Sequence, residues 1–231
     1  MKFNESTSWQ NLNKFDESMR TTIDSFLLFY VIQYFQRRSI LEIGFRQGYS
    51  FGLMLEASPH DAVLEAVDIS YPDFTIFDLL KTNKKTKLNT ISSQKFVYAN
   101  QYDFINVDGY HGYDEAKVDI LNAIAHLSSD GILMVDDYSI PDVDRAITDI
   151  LQMNLGIKPF LKGFQEVFFV RNNSQLPLNT FEVDFLHSEI NDFCNATNIS
   201  YKNYNVIDIW CKHVYIKFPH IFAEVVKAYN L

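Results

Sequence analysis

The stretch that decides the fold is SILEIGFRQGYSFGLMLE, residues 39–56. It starts as a short apolar run, passes through Gly44 and Gly48, and continues with apolar residues at helical spacing. This order predicts a buried strand, a tight turn and a helix. A turn built around glycine also lets the backbone come close to a ligand.

The same alternation of strand and helix continues along the chain. Further strands are predicted at 62–68, 88–92, 102–108 and 131–136, and helices at 23–37, 74–80, 113–127 and 141–153. We expect a solvated basic turn at 81–87 and a late strand, antiparallel at the sheet edge, at 164–170. Because the strands are nearly continuous apolar runs, the pattern indicates an α/β fold whose mainly parallel sheet is covered on both faces.

Charge and composition exclude several classes of protein. The 231 residues include 20 Lys plus Arg and 29 Asp plus Glu, giving a formal net charge of −9. Nucleic acid is bound mainly by neutralising its phosphates, so we expect no nucleic-acid partner. Cys194 and Cys211 cannot form a disulfide framework or a four-thiolate zinc site. The start lacks a leader pattern and no apolar run is long enough to cross a bilayer, so a cytoplasmic protein without membrane contact is expected.

Acidic residues stand where the predicted strands end. Ligands of open parallel sheets bind outside the carboxyl ends of the strands, so these side chains are expected to converge on one site. A single carboxylate in such a place is often only a helix cap or a turn residue, but several at one edge indicate a function. The acidic residues are Glu42, Asp68, Asp108, Asp136 and Asp137.

The turn after the first strand favours a positively charged adenosine ligand. Arg46 stands where the dinucleotide-binding pattern G-x-G-x-x-G has its middle glycine, which disfavours close approach of a pyrophosphate. Glu42 places negative charge where an ammonium or sulfonium group would be favoured. Asp68, about 20 residues further on, can accept hydrogen bonds from both hydroxyls of a ribose.

Four segments together resemble the class I S-adenosylmethionine-dependent methyltransferases, and most closely the metal-dependent O-methyltransferases that include catechol and macrocin enzymes. They are LEIGFRQGYS (41–50), AVDIS (66–70), YDFINVDGYHGY (102–113) and GILMVDDY (131–138). The resemblance covers about residues 38–170. It implies a Rossmann-like three-layer sandwich with a mainly parallel seven-stranded sheet, and transfer of a methyl group to a hydroxyl of a small molecule or sugar.

The resemblance also implies roles for individual residues. Gly44 and Gly48 would line the methionine end of the cofactor, Glu42 its amino group and Asp68 its ribose, with adenine contacts after the third strand. The implied cofactor-binding set is Glu42, Gly44, Gly48, Ser50, Asp68, Ser92, Ser93 and Asp108.

A magnesium site is the second implication of the resemblance. Asp108, Asp136 and Asp137 match the family's metal ligands, and Mg²⁺ prefers such oxygen donors. Adjacent residues on a strand point to opposite faces, so Asp136 and Asp137 can share one ion only if the strand has ended before them. His111, on the loop after Asp108, is the candidate general base or orienting residue.

The domain division follows the limits of the resemblance. We interpret residues 1–38 as an N-terminal helical cap, 39–171 as the S-adenosylmethionine-binding domain, and 172–231 as a C-terminal extension. The extension has a helical run near 181–194 and an aromatic segment at 206–218. We expect it to cap the substrate or to form a homodimer contact.

Other interpretations of the same pattern stay open. They are an NAD-dependent oxidoreductase, a methyltransferase of nucleic acid or protein nitrogen, and a catalytically silent cofactor-binding or oxygenase-like protein. Arg46 and the net charge count against the first two. Lys117 and Asp119, on the helix after the fourth strand, are interpreted as a surface charge pair.

Overall fold

The structure is a computed structural model that describes residues 23–46, 48–70, 85–163, 165–186 and 194–211. Its α-helices are α1 (Ile23–Phe35), α2 (Tyr49–Ala57), α3 (Tyr113–His126), α4 (Pro141–Gln152) and α5 (Leu178–Leu186). Its strands are β1 (Ser39–Ile43), β2 (Val63–Asp68), β3 (Lys85–Thr90), β4 (Tyr102–Val107), β5 (Leu127–Val135), β6 (Ile157–Lys162), β7 (Val167–Arg171), β8 (Cys194–Tyr201) and β9 (Tyr204–Cys211). A 3₁₀ turn at Ser93–Lys95 follows β3.

The strands form one mixed sheet in the order β3-β2-β1-β4-β5-β7-β6-β9-β8. The first five strands in this order pair in parallel, with Ile43 beside Val67 of β2 and Val107 of β4. β7 is antiparallel to both β5 and β6, and the β8–β9 hairpin joins β6 through β9. The predicted fold class, an α/β sandwich with a mainly parallel sheet and antiparallel pairing towards its C-terminal side, is confirmed.

Helices cover both faces of the sheet, and each face has its own apolar core. One core joins α1 and α2 to the sheet and includes Phe51, Phe104 and Phe168. The other lies under α3 and α4 and includes Ile120 and Ile147. α1 is buried on most of its surface, because residues 27–32 expose 6% or less each, as its unbroken apolar sequence predicts.

Several details differ from the expectations. The described residues form nine strands instead of seven, and the antiparallel strand β7 lies inside the sheet instead of at its edge. β6 was not predicted, because Pro159 and two lysines interrupt its apolar pattern. β3 starts at Lys85, so the second part of the predicted basic turn is strand; as the edge strand it needs few apolar side chains.

Helices α1 and α5, which are far apart in the sequence, meet in one core. Phe181 of α5 is fully buried, and its ring lies 5.1 Å from the ring of Phe35 on α1, centroid to centroid. Helix α5 covers residues 181–186 of the predicted 181–194 helical run, and the run's last residue, Cys194, belongs to β8 instead. Strand β9 covers the first part of the predicted aromatic segment. The division at residues 38 and 171 stays a prediction.

The predicted helix at 74–80 lies outside the described residues. None of the helices in the described ranges is long and apolar enough to span a membrane.

Candidate active site

A cavity of about 610 Å³ opens at the carboxyl ends of the parallel strands. This volume is typical of small-molecule sites, and the position is the one where open α/β sheets bind ligands. The cavity brings together most of the predicted site residues, which lie at or after the ends of five different strands. Those on its wall are Gly44, Ser50, Asp68, Ser92, Ser93, Asp108, His111, Asp136 and Asp137.

The turn after β1 packs directly against the loop after β4. Gly44 has a φ of 93°, and a Cβ atom there would lie 1.9 Å from the carbonyl oxygen of Asp108. Gly48 has a φ of 79°, and a Cβ atom there would meet the ring of Phe45 at 2.5 Å. Both positions therefore require glycine, for backbone conformation and for space. The close approach fixes the backbone of Asp108 against the turn.

Glu42 is fully buried beneath this turn and does not line the cavity. Its Oε1 accepts hydrogen bonds from the Ser50 hydroxyl and, at 3.0 Å, from the Asn106 amide. Burial raises the pKa of the Glu42 carboxyl well above its usual range, and the nearby Asp108 adds to the shift. Glu42 thus supports the turn from below, and its predicted contact with a cofactor amino group stays a prediction.

Asp68 at the end of β2 is held by the backbone of two loops. Its Oδ2 accepts the Arg46 N–H at 2.7 Å, and its Oδ1 accepts the Ser70 N–H at 3.1 Å. The first bond ties the glycine turn to the end of β2. The carboxylate is half-buried on the cavity wall, so it can still accept hydrogen bonds from a ligand.

Asp108, His111 and Asp137 form a cluster on the β4–β5 side of the cavity. One ligand atom from each lies within 4.8 Å of the others. The His111 Nε2 is 3.0 Å from the Asp137 Oδ2 and 3.8 Å from the Asp108 Oδ1. The two neighbouring carboxylates, Asp108 and then Asp137, raise the pKa of His111 to about 10. The imidazole is therefore protonated at neutral pH in this arrangement.

Asp136 and Asp137 both follow the last residue of β5, as the sequence argument required. Asp137 adopts a φ of 55°, and its backbone N–H donates to the Asp136 Oδ1 at 2.7 Å. This turn points Asp137 towards His111, whereas Asp136 is not part of the three-residue group. Of the three metal ligands predicted from the sequence, Asp108 and Asp137 thus lie in this group and Asp136 does not, and the third member of the group is His111.

The donor set of the cluster fits a divalent cation. Two carboxylates and one imidazole are ordinary ligands of Mn²⁺ and related metals, while Mg²⁺ prefers oxygen alone. Binding through the imidazole would require loss of its proton, so the ion and the His111 proton compete. Without an ion, the protonated imidazole itself neutralises part of the carboxylate charge.

The interpretation of Lys117 and Asp119 as a surface charge pair is wrong. Lys117 pairs with Asp149 of α4 at 3.1 Å, whereas Asp119 is only 2% exposed and lines the cavity. The sequence carried a signal for this, because Asp119 shares the spacing of Ala116, Ile120 and Ala123 on the buried face of α3. An acidic residue in an apolar helical stripe points to a buried polar site.

Comparison with known proteins agrees with this geometry. Residues 41–138 match the family model described as a methyltransferase domain. That segment runs from the glycine turn to the Asp136–Asp137 turn, so it contains nearly all of the predicted site residues. No match is found among curated proteins.

Solved structures share the fold at low sequence identity. The methyltransferase PaMTH1 of Podospora anserina, bound to S-adenosylhomocysteine, has a TM-score of 0.56 and 16% identity, covering 71% of this chain and 86% of that one. An O-methyltransferase of Bacillus cereus, bound to the same compound, has a TM-score of 0.55 and 12% identity, covering 72% and 91%. A putative O-methyltransferase of Klebsiella pneumoniae has a TM-score of 0.50 and 13% identity, covering 71% and 87%.

Proposed function

We propose that the protein transfers the methyl group of S-adenosylmethionine to a hydroxyl oxygen of a small molecule or sugar, with the help of a divalent cation such as Mg²⁺. The match of residues 41–138 to the methyltransferase-domain family model and the fold shared with solved methyltransferases support this proposal. The observation that carries this proposal is the convergence of the glycine turn, Asp68 and the Asp108–His111–Asp137 cluster on one cavity.

The cavity suits the methyl donor in shape and charge. Gly44 lies on the cavity wall, where the methionine part could lie along the backbone of the turn, and Asp68 at the end of β2 can accept the two ribose hydroxyls. The sulfonium would lie in a cavity whose carboxylic residues outnumber its basic ones. Two of the structures that share the fold contain S-adenosylhomocysteine, the product of the same donor.

The cation would be held by Asp108, Asp137 and His111. Bound there, such an ion would supply Lewis-acid chemistry: it would lower the pKa of a substrate hydroxyl and offset the negative charge on its oxygen. The chain's own residues place the acceptor: the β4 loop, fixed against Gly44, sets the position of Asp108, and the β5 turn sets that of Asp137. Holding the acceptor oxygen in line with the sulfonium methyl supplies the orientation that the displacement needs.

While no cation is bound, His111 acts in this scheme as an orienting residue and not as a base. Protonated between two carboxylates, it cannot accept a proton, and the neutral fraction grows only as the pH approaches its raised pKa of about 10. A role as general base needs a state in which the carboxylates are neutralised by another cation. We propose the same cytoplasmic location and homodimer as the sequence suggested.

A metal titration tests the cation site. We expect Mn²⁺ to bind the purified protein in isothermal titration calorimetry, and Asp137→Asn to weaken this binding by at least about tenfold, because one charged ligand is lost. Asp142→Asn is the matched control: this aspartate lies on α4 only a few residues away, and its side chain is half-exposed. Equal Mn²⁺ affinity in all three proteins would remove the cation from the proposal and leave the methyl donor untouched.

A further inference from the structure

The β8–β9 hairpin lies against the turn that carries Asp137. The hairpin follows residues 41–138, the segment that matches the family model, and is not part of that match. It joins the sheet beside β6, where Lys162 is opposite Asp208 of β9. A part of the chain outside the matched segment therefore lies next to one of the candidate cation ligands.

Tyr138 is the residue through which the turn contacts the hairpin. It directly follows Asp137, and its ring centroid lies 5.9 Å from the ring centroid of Tyr201 on β8. The Lys162 Nζ lies 5.0 Å from the same Tyr138 centroid. Lys162 in turn pairs with Asp208 of β9, with 3.5 Å between Nζ and Oδ1. The Tyr138 ring is thus held by β6 and by the hairpin together.

The tip of the hairpin is fastened to the start of α4. The Lys202 Nζ donates to the Asp144 Oδ2 at 2.9 Å, and the Tyr201 hydroxyl donates to the Asp144 Oδ1 at 3.4 Å. Asp144 lies in the first turn of α4, the helix that begins directly after the turn of Asp137 and Tyr138. The hairpin therefore contacts this segment at Tyr138 and again at the helix that follows.

Lys162 remains charged in this setting. Burial lowers its pKa, but Tyr138 and Asp208 outweigh burial, so the pKa of Lys162 lies above its ordinary value. An ammonium near the face of a tyrosine ring is attracted by that ring, and more strongly where water is excluded. The Lys162 side chain is only 16% exposed. Its contact with Tyr138 is therefore a specific one and not a loose surface pair.

Asp137 has a backbone conformation that depends on its surroundings. Its φ of 55° lies in the left-handed region, which residues other than glycine seldom adopt. Such a conformation persists where neighbouring structure holds it. In this conformation the Asp137 Oδ2 lies 3.0 Å from the His111 Nε2. A contact that fixes the next residue, Tyr138, therefore acts on the geometry of the cluster.

We propose that the β8–β9 hairpin, linked to Tyr138 through Lys162, positions Asp137 for cation binding. This inference rests on the proposed function, because the cation belongs to it. Lys162 is a positioning residue, since it acts on the cation only through Tyr138 and Asp137. The C-terminal part of the chain then contributes to the site without lining the cavity.

Substitution of Lys162 tests the proposal, because charge and geometry predict opposite results. Mn²⁺ is titrated calorimetrically into the wild type, Lys162→Met and Lys158→Met. Removal of a positive charge by itself should strengthen the binding of a cation. We instead expect Lys162→Met to weaken Mn²⁺ binding at least about fivefold, somewhat less than the loss of about tenfold or more typical of residues that orient a metal ligand directly. Lys158→Met, the same change at the other end of β6, should keep the wild-type affinity.

A double variant shows whether Lys162 acts through Asp137. If it does, Lys162→Met combined with Asp137→Asn should bind Mn²⁺ within about twofold of Asp137→Asn alone, because the two changes remove the same contribution. In the protein without added metal, Lys162→Met should also shift the backbone amide signals of Asp137 and His111 in proton–nitrogen correlation spectra. Lys158→Met should leave these signals where they are in the wild type.

The outcomes separate this inference from the cation site itself. Equal or tighter Mn²⁺ binding by Lys162→Met, a full further loss in the double variant, or an unmoved Asp137 signal would overturn the positioning role and leave the cation site in place. A wild type that does not bind Mn²⁺ would overturn both. Should Lys162→Met not fold, judged by circular dichroism, Tyr138→Leu takes its place with the same expected loss, because it removes the ring that Lys162 and Tyr201 contact.

Discussion

Gly44 is the residue on which the geometry of the cavity depends most. It allows the turn after β1 to touch the Asp108 backbone, so that this turn and the Asp108–His111–Asp137 cluster share one contact. Asp68 strengthens the same arrangement by accepting the Arg46 N–H. The spacing of the glycines in the sequence predicted a close turn, but the partner of that turn is set by the sheet order.

Substitution of Gly44 measures the importance of this contact. We expect Gly44→Ala to lower the free energy of unfolding by at least about 2 kcal/mol, because the positive φ and the overlap with the Asp108 carbonyl both cost energy. Gly156→Ala is the matched control: it has a φ of 75° but no atom within 4 Å, so only the backbone cost of about 1 kcal/mol applies. Urea denaturation compares the two, and equal losses would show that the contact is not tight.

Helix α5 shows at the scale of one element that the core extends beyond residues 41–138, the segment that matches the methyltransferase-domain family model. The Phe181 ring packs against Tyr34 and Phe35 of α1 and against Phe160 of β6. Helices α1 and α5, which precede and follow the parallel strands in the sequence, thus pack together on one face of the sheet. This contact makes α5 part of the main core, whatever further role the C-terminal segment has.

A truncation of one side chain tests this packing. Phe181→Ala should lower the free energy of unfolding by about 3–5 kcal/mol, the usual cost of deleting a buried phenylalanine ring. Asn179→Ala, at an exposed position of the same helix, should change it by less than about 0.5 kcal/mol. If thermal or urea denaturation found the Phe181 variant as stable as the control, α5 would not belong to the core.

The elements that the sequence predicted well are those with a strong apolar pattern. β1, β4 and α4 were placed to within about two residues, because buried runs and the Pro141 start are local signals. β6 and the β8–β9 hairpin were missed although each pairs with a strand next to it in the sequence, because Pro159 and two lysines interrupt the apolar pattern of β6 and β8 is mostly polar.

The site residues that the sequence predicted well are likewise those with a local signal. The acidic residues at strand ends were found because parallel strands end at one edge, whereas Asp119 on α3 was read as a surface residue. The place of His111 beside Asp137 could not be read from the sequence either, because it depends on the positive φ of Asp137.

At the scale of the whole molecule, the cavity wall carries more acidic than basic side chains among the described residues. The basic residues on this wall are Arg46 and His111, and the acidic ones are Asp68, Asp108, Glu115, Asp119, Asp136, Asp137 and Glu166. Such a wall favours a ligand with positive charge and disfavours one with several phosphates. A sulfonium donor meets this condition, and a dinucleotide meets it less well.

The most direct test is calorimetric titration of the wild type with S-adenosylhomocysteine, with Asp68→Ala and Asp61→Ala measured beside it. Asp61 is an exposed residue just before β2, at the opposite end of the strand from Asp68. We predict saturable binding to the wild type, unchanged binding to Asp61→Ala, and a loss of at least about tenfold in Asp68→Ala from its two charge-assisted hydrogen bonds. A folded wild type that binds neither S-adenosylhomocysteine nor S-adenosylmethionine would contradict the account.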